Sequence, residues 1–166
     1  MTRTFKEIIF VIVLVFSLAA PVTAGPAEDA NAASRKGDYE TAMRLWLSMA
    51  EQGNAAAQNN VGAGYDKGLG VPQNHTEAVK WYGLSADQGD VIAQNNLAAM
   101  YANGLGVPQD LVRAHMWFNL AATRGSQSAA KSRDRIQQNL TPDQLSEATK
   151  LAREWKPIMQ PPPAAR

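Results

Sequence analysis

Two histidines, His75 and His115, are the residues of this chain best suited to proton transfer or metal binding. They lie 40 residues apart, the chain has no Cys, and no helix carries a His-x-x-x-His pair. Zinc and related metals need three or four such ligands gathered at short spacings, so this pattern does not build a metal site. The Gly-x-Gly of "YDKGLGVPQN" (Tyr65 to Asn74) and of "YANGLGVPQD" (Tyr101 to Asp110) suggests a phosphate loop. A dinucleotide fingerprint requires a preceding strand and a third glycine, and both are missing here. Arg133, Asp134 and Arg135 crowd together, but as a solvated row with local ion pairs. Neither a nucleophile elbow nor a paired-carboxylate arrangement is present. These residues point away from an enzyme and call for no metal or cofactor.

The near-copy of the glycine stretch reveals what organises the chain. Placing Asn54–Gly89 above Asp90–Gly125 aligns two units of 36 residues without a gap, and 17 positions are identical. A fixed period of this length marks a solenoid, in which each unit is one supersecondary element stacked on its neighbour. Asn54, Asp90 and Ser126 each follow a glycine (Gly53, Gly89, Gly125), which reads as a left-handed helix end and then an N-cap. Apolar residues then fall at helical spacing: Ala57, Val61 and Tyr65, and their copies Ala93, Leu97 and Tyr101.

Gly68 and Gly104 fall just past the last turn of those helices, and Pro72 and Pro108 forbid continuation. Asn74 and Asp110 cap a second helix in each unit, with Glu77 placed to complete a capping box. The second helices carry Trp81, Tyr82, Trp117 and Phe118, whose recurrence marks them as core rather than a ligand box. The loop is therefore a corner between two helices.

The period also sets the domain plan. Residues 27–53 form an N-terminal partial unit, 54–89 and 90–125 the core repeats, and 126–156 a closing pair of helices, with Thr141, Pro142 and Gln144 starting the last one. Polar end units are what a solenoid needs for solubility. Residues 157–166, "PIMQPPPAAR", are expected to form a Pro-rich tail outside the array.

Residues 1–24 have the parts of a secretory signal: Arg3 and Lys6, an apolar run from Ile8 to Ala20, and small residues before an expected cleavage after Ala24. The run of 13 residues is short for a membrane span, which takes about 20. The expected location is therefore the periplasm or the exterior, free of the membrane after cleavage. Stability rests on packing alone, because no disulfide is possible. Without Arg3, Lys6 and Glu7 the chain holds 14 bases and 14 acids, a balance that argues against nucleic acid as partner. From Gly25 to Val112 there are 5 bases and 10 acids, and from Arg113 to Arg166 there are 9 bases and 4 acids. This asymmetry would allow head-to-tail stacking, though a monomer with two solvated faces is the expected state.

The pattern AQNNxxxxYxxGxGVPQDxxxAxxWxxxAAxxG resembles the Sel1-like repeat, a relative of the tetratricopeptide repeat with a longer corner. The resemblance covers 54–125 strongly and 37–53 well, while 126–155 is similar to a degenerate closing unit. It implies an all-α fold, a right-handed α/α solenoid of about four helix hairpins, whose first helices line a concave groove. It also implies an exported adaptor that holds a protein or peptide, in some relatives a regulator of an envelope sensor. A cell-wall-binding factor or envelope enzyme is the other class the resemblance admits. Transferred position by position, the tetratricopeptide geometry places Asn59, Asp66, Lys67, Asn95 and Asn103 on the groove, with Ala56, Ala63, Ile92, Ala99 and Ala102 between them. Lys131 and Arg135 extend the row. The amides of Asn59 and Asn95 offer two N–H donors and one acceptor to a peptide, or alternatively bond to neighbouring helices. Gln58, Gln94, Asn60 and Asn96 read as structural.

Overall fold

The computed structural model describes residues 25–158. The proposed signal, residues 1–24, and the Pro-rich segment from 159 onward lie outside the described residues. Eight helices and no strand are present among those described: α1 (Pro26–Arg35), α2 (Tyr39–Glu51), α3 (Ala55–Lys67), α4 (His75–Asp87), α5 (Val91–Asn103), α6 (Leu111–Thr123), α7 (Gln127–Gln137) and α8 (Pro142–Glu154).

Capping chemistry sets the start of each repeat helix. The side chains of Asn54, Asn74, Asp90, Asp110 and Ser126 each accept from the backbone N–H three residues on, at 2.8 to 3.3 Å. Such a cap contributes about 1 kcal/mol by satisfying one orphan donor. Thr141 and Gln144 form a complete capping box on α8. The box expected at Asn74 is only half made, because the Glu77 carboxylate turns to Lys80 at 2.5 Å.

The corner glycines divide two tasks between them. Gly68 and Gly104 end α3 and α5 in the left-handed region, at φ 70° and 67°. Gly70 and Gly106 serve the neighbouring unit. A Cβ on Gly70 would collide with the Tyr39 carbonyl and stand 2.9 Å from the Glu40 nitrogen, and one on Gly106 would collide with the His75 carbonyl and stand 2.7 Å from the Thr76 nitrogen. Each corner thus seats its backbone on the first turn of the second helix of the preceding unit. Leu69 and Val71 are half-buried in that seam, whereas Leu105 stays 38% exposed.

Consecutive helices from α1 to α7 pack pairwise in chain order. The first helices also meet one another, α3 with α5 through the Asn59 and Asn96 side chains and α5 with α7 directly. Helices α2, α4 and α6 show no comparable packing on one another. The array therefore curves with α3, α5 and α7 on its inner side. One apolar cluster joins Tyr82, Leu97, Met100, Trp117 and Phe118, and a smaller one joins Met43, Ala50, Ala57 and Val61.

The closing pair departs from expectation. Residues 126–156 do supply two helices, yet α8 makes almost no contact with α7 and packs on α6 instead. Aromatic burial explains the detour: Trp155 meets Trp117 edge-on at 6.0 Å, and the Arg124 guanidinium lies 5.6 Å from the Trp155 ring centre. Residues 157 and 158 follow this strap rather than leaving the array, since the Ile158 N–H donates to the Asp87 carbonyl at 2.8 Å.

Candidate functional site

The first-helix positions thirty-six residues apart, Asn59, Asn95 and Lys131, have three different surroundings. Asn59 on α3 is only 8% exposed, and its Oδ1 accepts from Asn96 Nδ2 of α5 at 3.1 Å. That bond bridges α3 and α5. The residue corresponding to Asn96 in the next unit is Ser132, whose hydroxyl does not bond to Asn95. Between α5 and α7 lies a groove of about 560 Å³, and Asn95 and Ser132 line it from opposite sides. Lys131 is exposed on α7 but does not line this groove.

The groove brings together three of the seven residues expected to contact a partner: Asn95, Asn103 and Arg135. Ala99 and Ala102 separate the two asparagines along α5, small enough to leave the space clear. Arg135, Ser128 and Ser132 line the α7 side, and Phe118 and Ile136, 4% and 9% exposed, supply the apolar floor. The corner contributes Gln109, the start of α6 Leu111, and the turn after α7 Asn139.

Asn59, Asp66, Lys67 and Lys131 fall outside it. Asp66 is engaged locally, its carboxylate 2.9 Å from His75 Nδ1, which ties the end of α3 to the start of α4. Lys67 is exposed in the last turn of α3. The single row expected along the inner face is therefore interrupted between α3 and α5. Its physical cause is the asparagine ladder, in which Asn96 uses the oxygen that Asn59 would offer a ligand. Asn96 was readable as structural. The consequence of Ser132 for Asn95 was not, because it depends on two helices meeting across the repeat boundary. The groove residues Gln109, Phe118, Ser128 and Asn139 carried no separate signal in the sequence.

Gln58 and Gln94 are buried braces, each donating from Nε2 to a helix-end carbonyl, Ala50 at 3.1 Å and Ala86 at 3.2 Å. Gln88 donates to Gln58 Oε1 at 2.7 Å. Its counterpart Arg124 goes to the Gly89 carbonyl at 2.5 Å and to Trp155, so Gln94 Oε1 is left without a partner. His115 is 3% exposed, and burial pushes its imidazole below the usual histidine range. Burial pushes the Tyr82 phenol up. Neither group lines the groove, and no cluster of three potential metal ligands occurs among the described residues. A second cleft of about 490 Å³ lies along α2, beside Glu40, Arg44 and Glu51. None of the expected residues reaches it.

Stacked helix pairs with a groove on the inner side define a helical-repeat scaffold. The Sel1 repeat family model matches residues 33–54, 55–90 and 91–126, more than half of the chain, which therefore belongs to that family. Proteins of this family are in general protein–protein interaction modules and typically non-enzymatic scaffolds. Among solved structures, the chain is similar to a protective antigen of uropathogenic Escherichia coli strains displaying an SLR fold, with 30% identity and a TM-score of 0.75 over 78% of this chain and 29% of that one. It is also similar to a Sel1 repeat protein from Oxalobacter formigenes, with 31% identity and a TM-score of 0.64 over 78% of this chain and 56% of that one. The chain thus spans well under two thirds of either neighbour. No curated protein matches it.

Proposed function

We propose that this protein is an exported interaction module that holds a segment of a partner protein in the α5–α7 groove. The observation that carries the reading is the groove between α5 and α7. Where Asn96 bridges α5 to Asn59 of α3, Ser132 leaves Asn95 unbonded beside Phe118 and Ile136. A concave site that sets placed polar groups against apolar surface can both hold and orient a ligand. Export is supported by the signal pattern of residues 1–24. No helix among the described residues is long and apolar enough to cross a membrane. In this reading the module works as a monomer and needs no cofactor. An adaptor role toward an envelope sensor or assembly accords with the general character of the family.

A photo-crosslinking residue at Ser128, compared with one at Lys80 on α4, tests the assignment in native envelopes. A partner captured from Ser128 alone, and lost when Ser132→Trp fills the groove without lowering the melting temperature, is the expected result. Equal capture from Lys80, or capture indifferent to Ser132→Trp, overturns it.

A further inference from the structure

We propose that the occupant of the α5–α7 groove is an extended, acidic protein segment, seated with a carboxylate on Arg135 and its backbone beside the amides of Asn103 and Gln109. The proposal rests on the groove reading above and adds the chemistry and conformation of the partner.

The charge comes first. Arg135 is the one charged residue lining the groove. It has no carboxylate partner among the described residues, and its only side-chain hydrogen bond there is a long one to Ser132 Oγ, 3.5 Å. The two carboxylates next to the groove in sequence are already used. Asp110 caps α6 and pairs with Arg113 at 3.4 Å, and Asp134 pairs with Arg133 at 2.7 Å. A guanidinium without an internal counter-ion beside an apolar floor favours a planar anion, which it can bind in bidentate fashion.

The amides supply backbone partners. Asn103 Nδ2 donates to the Ala99 carbonyl at 2.9 Å, and Gln109 Nε2 to the Ala102 carbonyl at 2.8 Å. With one N–H of each held by the backbone of α5, both side chains still offer an amide oxygen and a second N–H. The α7 wall offers the guanidinium of Arg135 and the hydroxyl of Ser132. The groove thus presents donors and acceptors that an extended backbone can use, because its N–H and C=O groups are not paired internally as those of a helix are.

Length fits the same conformation. Asn95 and Asn103 are eight residues apart on α5, about 12 Å at 1.5 Å per residue. About four extended residues span the same length.

The test is selection of end-blocked random decapeptides on the purified chain, with the bound pool read by mass spectrometry. At least a fivefold enrichment of Asp or Glu at one position is expected. Arg135→Glu should reverse that preference to Lys or Arg, Arg135→Lys should retain it, and Arg153→Glu on α8 should leave it alone. A pool selected through the groove without acidic preference overturns this inference and leaves the groove reading standing. So does an acidic preference untouched by Arg135→Glu. A pool insensitive to Ser132→Trp, or no pool at all, overturns the groove reading itself. Displacement of the selected peptides by a soluble muropeptide at lower concentration than by any linear acidic peptide assigns the groove to the cell wall and overturns the proposal.

Discussion

Asn96 Nδ2 donates to Asn59 Oδ1 across 3.1 Å and joins α5 to α3, whereas thirty-six residues on the shorter Ser132 leaves Asn95 unbonded. One boundary is thus bridged by an asparagine pair, and the other leaves Asn95 free on the wall of the groove. The consequences are open to direct measurement.

Ser132→Asn rebuilds the missing rung. A half-buried hydrogen bond adds about 1 kcal/mol, so the melting temperature should rise by a few degrees while peptide binding falls at least tenfold. Asn96→Ser should do the reverse at the preceding boundary, with a loss of about 1 kcal/mol and a new cleft beside Asn59. Thermal melts and peptide titration of both variants check the pair.

The corner glycines separate strain from collision. Gly37 has φ 80° and open space where a Cβ would go, so Gly37→Ala should cost only the left-handed penalty, about 1 to 2 kcal/mol. Gly106 has φ 70° and backbone of α4 in the same place. Gly106→Ala should therefore be clearly more destabilising than Gly37→Ala. Equal unfolding free energies in urea would count against the seating of each corner on its predecessor.

How far the sequence reaches is visible in these residues. The 36-residue period, the caps at Asn54, Asn74, Asp90, Asp110 and Ser126, and the helix-ending role of Gly68 and Gly104 are local signals, and all were legible in the chain. Gly70 and Gly106 are conditioned by backbone from another unit, so periodicity alone did not explain them. The detour of α8 onto α6 follows from Trp155 finding Trp117 and Arg124, contacts with no spacing rule behind them. The same limit applies to the site. Asn95, Asn103 and Arg135 were expected on one face, but the closure of Asn59 and the engagement of Asp66 by His75 depend on contacts between elements.

His115 should make stability depend on acidity. Burial, assisted by the charge of Arg133, holds its imidazole below the usual value, while Gln137 and Asp134 act in the opposite sense. The unfolded chain then takes up a proton more readily than the folded one. The resulting stability is fully present above pH about 6.5 and is lost as pH falls through the folded-state value. His115→Val, the residue found at position 79 of the preceding unit, should flatten the melting temperature between pH 7.5 and 5 relative to the parent. A parent whose melting temperature rises on acidification over that range would contradict the assignment.

Trp117 and Trp155 together determine whether α8 stays on the array. Trp117 is 8% exposed within the main core, so Trp117→Ala should cost about 3 to 5 kcal/mol through lost transfer energy and an unfilled cavity. Trp155 is half-buried at the end of α8, and its loss removes the edge contact with Trp117 and the stacked Arg124. Trp155→Ala should cost less, on the order of 2 kcal/mol, and should act on α8 selectively. Hydrogen exchange distinguishes the two substitutions. Trp155→Ala should speed exchange in α8 and at Ile158, whose N–H reaches Asp87, while α3 to α5 keep their protection. Trp117→Ala should loosen α5, α6 and α8 together, because its ring belongs to the cluster they share. If Trp155→Ala instead melted the whole array uniformly, α8 would be an integral repeat helix and not a strap laid over α6.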